Sequence, residues 1–237
     1  MLFRSSLIET LSVTAANQVL FQGPVVLSGD LNVTADHIHL LASIDTTAGA
    51  FDGQIRLNGE TEILVGDSSV LMVGQATIAI DGGGGIIDTS GSTLHSSANS
   101  TAMVFRNASQ LTFGNLNASS GQVVMGVDQD LVGPTTQSSK AIMLIDRLQV
   151  SSSSSLDLSN QANDFRSLEQ VALDGELKIH DAAGDLAVQS MTTAGFDATL
   201  TAAGAIVLTQ QAVDATGAVV RLTAGKEIVD GDGNAAT

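Results

Sequence analysis

The sequence has no cysteine, tryptophan or tyrosine, and only two prolines and nine Lys and Arg among its 237 residues. Each shortage removes a class of protein. Without cysteine there are neither disulfides nor thiolate metal sites, which fits a reducing compartment and fits equally a bacterial exoprotein held together by stacked repeats. The missing Trp and Tyr take away the large aromatic anchors on which a globular α/β enzyme of this length normally draws. Nine cationic residues face twenty-five Asp and Glu, for a net charge of −16. Such a field repels phosphate backbones and anionic head groups, so neither nucleic acid nor a membrane surface is an expected partner. No apolar run reaches the roughly eighteen residues that a membrane-spanning helix needs.

What remains is aliphatic and turn-rich. Hydrophobic residues make up 43% of the chain, nearly all Ala, Val, Ile and Leu, beside seven Phe, twenty-four Gly and only 14% charged residues. Aliphatic β-branched side chains suit flat, stacked sheets, and so many glycines suit many turns. The length is sufficient for one sizeable core without staples. Arg4 and Glu9 interrupt the opening segment where a secretory signal needs unbroken apolar residues, so the chain reads as a segment of a larger protein. Leu20-Phe21-Gln22-Gly23-Pro24 resembles a picornaviral protease site of the kind placed in expression vectors; the plainer reading is a strand followed by a turn.

A repeat organises the chain. An apolar-x-apolar triplet recurs as Leu156-Asp157-Leu158, Leu177-Lys178-Ile179, Ala198-Thr199-Leu200 and Val220-Arg221-Leu222, in steps of 21, 21 and 22 residues. A second short strand follows at Leu186-Ala187-Val188, Ile206-Val207-Leu208 and Ile228-Val229, with Gly184, Gly204 and Gly225 in the intervening turns. Glycine there is expected to supply the positive φ of a tight corner. Upstream the device reappears as Leu31-Asn32-Val33, Ile55-Arg56-Leu57 and Ile78-Ala79-Ile80.

Two or three half-buried strands in about 22 residues form one rung of a right-handed parallel β-helix, and each rung is too thin to bury its own apolar face without neighbours. The expected fold is therefore all-β, a solenoid of roughly ten rungs with irregular loops in the middle. Residues 1–237 form one solenoid segment, within which 82–140 are less regular, with projecting loops over 82–101 and 128–140. The middle residues of the triplets should stand in an outward column with Asp157 beside Lys178, an opposite-charge neighbour worth about 0.2 to 1 kcal/mol. Short helical turns are allowed by the spacing of Phe3, Leu7 and Leu11 and of Leu168, Val171 and Ala172. Leucine-rich repeats lack support because no Asn or Cys recurs after the strand, and immunoglobulin-like sandwiches because the period is far shorter than about 100 residues.

The stretch from Leu156 through Ser159-Asn160-Gln161-Ala162-Asn163-Asp164-Phe165, with Gly184-Asp185-Leu186-Ala187-Val188, Thr199-Leu200-Thr201-Ala202-Ala203-Gly204-Ala205-Ile206 and the closing Leu222 to Asn234, resembles the repeat region of filamentous-haemagglutinin-like exoproteins. The resemblance covers residues 150–237 well and 25–80 loosely. It implies a β-helix shaft in a very large Gram-negative adhesin, exported through an outer-membrane transporter to the cell surface or medium and used against surface glycans or proteins.

Few residues offer chemistry. His37 and His39 share one strand face about 7 Å apart but need a third metal ligand, and Asp36 faces the other way. His95 and His180 stand alone. Asp230-Gly231-Asp232-Gly233-Asn234 alternates oxygen ligands as calcium loops do but lacks the distant Glu. Gly82 to Gly85 lacks the Lys and Ser/Thr of a phosphate loop. A polysaccharide lyase or hydrolase on a β-helix needs paired carboxylates. Asp81 with Asp88, or Asp128 with Asp130, could supply them, but neither pair has a companion Arg or Lys at repeat spacing. The expectation is a non-catalytic scaffold with no catalytic, cofactor-binding or metal residues, the carbohydrate-active enzyme standing as its alternative.

Overall fold

Alternations such as Leu31-Asn32-Val33 and Ile55-Arg56-Leu57 become strands that bury their first and third side chains and turn the second outward. The computed structural model describes residues 8–50, 52–126, 131–209 and 213–231. Among these the chain is all-β without a helix, and the strands stack in parallel as a solenoid of about 10 turns. The first turn contributes Leu11–Thr14, Gln18–Phe21 and Val25–Val26 to three ladders. In the second turn Leu31–Leu40 covers the first two of these and Ile44–Asp45 the third.

Two inward columns continue from turn to turn, with bulges between them. On the first face Val13, Val33, Leu57, Ile80, Phe105, Met125, Val150, Val171, Met191 and Val213 are successive partners. On the second face Val19, Ile38, Ile63, Ile87, Leu111, Thr135, Leu156, Leu177, Ala198 and Val220 are. Apart from the buried Thr135, their side chains belong to one continuous apolar interior. Phe105 and Phe113, both fully buried and on different faces of one turn, meet edge to face with centroids 4.8 Å apart and fill its width. Aliphatic side chains suffice elsewhere because each is sandwiched between its copies above and below.

The expected triplet columns are present, with Asp157, Lys178, Thr199 and Arg221 as outward partners. Asp157 and Lys178 are the opposite-charge neighbours expected, though each makes its direct contact elsewhere. Lys178 Nζ binds Glu176 at 3.0 Å, and Asp157 instead accepts bonds from the amide and hydroxyl of Ser159. The Glu176 carboxylate lies closest along the chain, and it raises the Lys178 pKa by accepting its hydrogen bond.

The helical reading of Leu168, Val171 and Ala172 is corrected: all lie in the strand Asp164–Leu173. A bulge opposite Leu148 and Gln149 inserts one residue, so two positions three apart both point inward and imitate helical spacing. Leu11 is likewise in a strand, while Phe3 and Leu7 fall outside the described residues. The polar run from Asp88 is strand through Ser96 and not a loop, and Thr101–Arg106 and Gln110–Met125 follow it. Irregularity in the middle takes the form of register shifts along those strands and of isolated bridges from Val132 to Ala108 and Ser152. Leu20 and Phe21 end a strand and Gln22 to Pro24 make the turn, as the plainer reading of that segment has it.

Glycines at the corners serve a purpose other than the expected one. Gly184, Gly204 and Gly225 are absent from the positive-φ residues. A Cβ on Gly204 would fall on the carbonyl oxygen of Gly184, and one on Gly225 on that of Ala203, so these corners require closeness to the turn beneath and not a left-handed backbone. The left-handed requirement is met at Gly83 and Gly84, with φ of 56° and 91°. Corners are also closed by buried hydroxyls, such as Ser152 Oγ donating to Val132 O at 2.8 Å and Thr46 Oγ1 to Gly53 O at 2.6 Å.

Candidate functional site

Outward positions stack as regularly as inward ones, so side chains remote in sequence become neighbours one turn apart. On the second face Gln18, His37 and Glu62 are successive partners, and Leu20, His39 and Leu64 run beside them. His37 and His39 are two residues apart on a strand and so share a face, their rings 6.3 Å between centroids and nearly perpendicular. Glu62 rises from the next turn between them. Its Oε2 lies 2.8 Å from His39 Nε2 and 3.8 Å from His37 Nδ1. From the turn on the other side Gln18 Nε2 approaches His39 Nδ1 at 3.1 Å. All three members of the triad are partly exposed.

The residue that joins the histidine pair and could serve as a third ligand is Glu62, and Asp36 has no part in the cluster. Register supplies it: Ile38 and Ile63 are inward partners, and moving one residue back along each strand pairs His37 with Glu62. His95 and His180 lie in the strands Ile86–Ser96 and Leu177–Asp181, away from this triad. Of the calcium-like segment, Asp232 to Asn234 lie outside the described residues, as do Asp128 and Asp130.

Asp81 and Asp88 are not brought together. Asp81 sits on the first face and Asp88 on the second, where its Oδ1 accepts the Ser90 amide at 2.9 Å. The expectation that Asp81 has no companion cation at repeat spacing is corrected, because Arg106, its register partner one turn on, places Nε 2.9 Å from Asp81 Oδ2.

A shallow groove of about 470 Å³ is bordered by Asp146, Asp164, Phe165, Arg166 and Asp185. Its carboxylates are largely engaged. Asp146 binds Arg147 at 3.3 Å and Arg166 at 3.4 Å. Asp185 accepts the Ala205 amide at 2.8 Å and Lys226 at 3.4 Å, and those bonds hold its carboxyl below the usual Asp range. Beside it Arg147 reaches the carbonyls of Asn99 and Ser100 at 2.9 and 3.3 Å, and Gln122 Nε2 donates to Glu169 at 2.7 Å. This clasp crosses the bulged corners of several turns, which accounts for its polar residues structurally.

Next to Asp164, at the border of that groove, lies the polar stretch from Asn160 to Asn163. Asn163, fully buried, exchanges two hydrogen bonds with Gln137 at 2.7 and 2.9 Å, donates to Leu158 O at 3.0 Å and accepts the Met143 amide at 3.0 Å. Asn160 Nδ2 donates to Ala141 O at 2.7 Å. These amides fasten corners.

Compared with protein-family models, curated proteins and solved structures, the chain has no significant match in any of the three.

Proposed function

We propose that this chain is a structural shaft segment of a secreted or surface-exposed bacterial adhesin and has no catalytic role. The observation carrying the proposal is the continuous column of inward partners from Val13 to Val213, which makes length the main product of the sequence. At about 4.8 Å per turn, about 10 turns give a rod on the order of 50 Å. The resemblance of residues 150–237 to filamentous-haemagglutinin-like repeats supports the adhesin context. In that context the export partner is an outer-membrane transporter, and surface glycans or proteins are the targets of the parent molecule.

Beads coated with the purified chain test the proposal against cultured cells, matrix proteins and a glycan panel. A shaft gives attachment no higher than beads coated with an inert protein. Saturable attachment that soluble chain competes away contradicts the passive reading and makes these turns adhesive. The carbohydrate-active alternative is favoured by the groove at Asp146 and Asp164. It predicts a rise in reducing ends or in unsaturated uronate absorbance on acidic polysaccharides, lost in Asp146→Asn.

A further inference from the structure

The triad on the second face invites a question that its role in a shaft does not answer. Outward ion pairs elsewhere join a carboxylate to Arg or Lys, as Asp81 to Arg106 and Glu176 to Lys178. Here two imidazoles and a carboxylate converge instead. One ligand atom from each of His37, His39 and Glu62 lies within 4.8 Å of the other two. Two imidazole nitrogens and one carboxylate oxygen are the donor set of zinc-class metals. Around a tetrahedral ion with ligand bonds near 2.0–2.2 Å, donor atoms stand about 3.3 Å apart. The pairs at 2.8 and 3.8 Å bracket that value. Side-chain rotation alone would close the remaining gap, since the strands that carry the residues are fixed by register.

We propose that His37, His39 and Glu62 bind one divalent transition-metal ion of the zinc class. The ligands are His37 Nδ1, His39 Nε2 and Glu62 Oε2, and the ion takes the place of the proton that His39 Nε2 shares with Glu62. Gln18, from the preceding turn, stands with Nε2 3.1 Å from His39 Nδ1; with metal on Nε2 of the imidazole, a flip of the Gln18 amide brings its oxygen there to accept the Nδ1–H, an outer contact of the kind that fixes ligating imidazoles. Three protein ligands leave a fourth position open, and the partial exposure of all three puts it in solvent, where water fills it. The net charge of −16 concentrates cations at this surface. Because the ligands come from two turns, the ion ties one turn to the next.

Zinc titration of the chelator-stripped chain by calorimetry, with Co²⁺ as a visible-absorption probe, tests the site. One equivalent should bind saturably at neutral pH, give the intense visible bands of tetrahedral Co²⁺, and weaken as pH falls because protons compete for the imidazoles. His37→Ala and His39→Ala should each weaken binding by at least the roughly tenfold that loss of an outer contact costs. Glu62→Gln should shift the Co²⁺ spectrum, and His95→Ala and His180→Ala should change nothing. All five positions face outward, and an unchanged far-ultraviolet circular dichroism spectrum confirms that each variant folds. Non-saturable uptake, octahedral Co²⁺ bands only, or affinity unaltered in both His37→Ala and His39→Ala would overturn the assignment. The shaft proposal stands or falls separately, on attachment.

Discussion

Single residues at the corners decide how closely one turn can lie on another. Gly204 has the backbone of Gly184 where its Cβ would go, whereas Gly184 itself has open space. Gly204→Ala should therefore cost about 1–3 kcal/mol, the usual range for overpacking. Gly184→Ala should be neutral or stabilise by about 0.4–1 kcal/mol through the unfolded chain. Urea unfolding of the pair measures the contrast, and equal effects would contradict the stacking explanation. Asp181 is the other informative residue. It is fully buried, and desolvation raises its pKa although the amides of Phe165, Ala183 and Gly184 pull the other way. A folded-state pKa above the unfolded one favours the protonated native form. That contribution is fully present below the unfolded value near 3.8 and is lost as pH rises through the folded value. Relative to Asp181→Asn, the natural chain should gain stability as pH falls from neutral toward that value. Asp185 and Asp197, whose carboxyls are lowered by the amides of Ala205 and Val219, work in the opposite sense and cancel in the comparison. A pH-independent difference in urea midpoint would contradict the assignment.

At the scale of strands and corners, the phrase around Asn163 acts as a fastener. It joins the strand Leu156–Leu158 to Asp164–Leu173 and reaches Gln137 on the preceding turn. Asn163→Ala leaves Gln137, Leu158 O and the Met143 amide without their buried partner, and an unsatisfied buried group costs about 1–3 kcal/mol. Hydrogen exchange should accelerate first at Met143 and Phe165, with the turns around Leu57 unaffected; uniform acceleration would mean that the loss is global. The strands themselves were legible in the sequence where apolar-x-apolar triplets kept a constant step, as from Leu156 to Leu222. They were hidden where the strand is long and its outward residues are Ser, Thr and Asp, as in Ile86–Ser96. Polar residues on the solvent side of a strand look like loop residues when the inward partners, here Ile87 and Leu94, are few. Bulges hid the rest, because one inserted residue converts period two into a spacing of three at Leu168 and Val171. The triad was half legible. The His37 and His39 pair shows in the sequence, while Glu62 appears only once register assigns outward neighbours.

For the whole molecule, position along the rod grows by one interstrand spacing for every turn of chain. The second face gives a ruler for this, since Leu20, His39, Leu64, Asp88, Thr112, Thr136, Asp157, Lys178, Thr199 and Arg221 are successive outward partners. The chain has no cysteine, so spin labels go only where they are introduced. Pulsed electron–electron double resonance on Thr112→Cys with Arg221→Cys spans five steps of that column, and on Leu20→Cys with Arg221→Cys it spans nine. At about 4.8 Å per step the predicted separations are about 24 Å and about 43 Å, with both pairs on one line. Two similar distances, or a longer pair no farther apart than the shorter, would contradict the solenoid and with it the shaft.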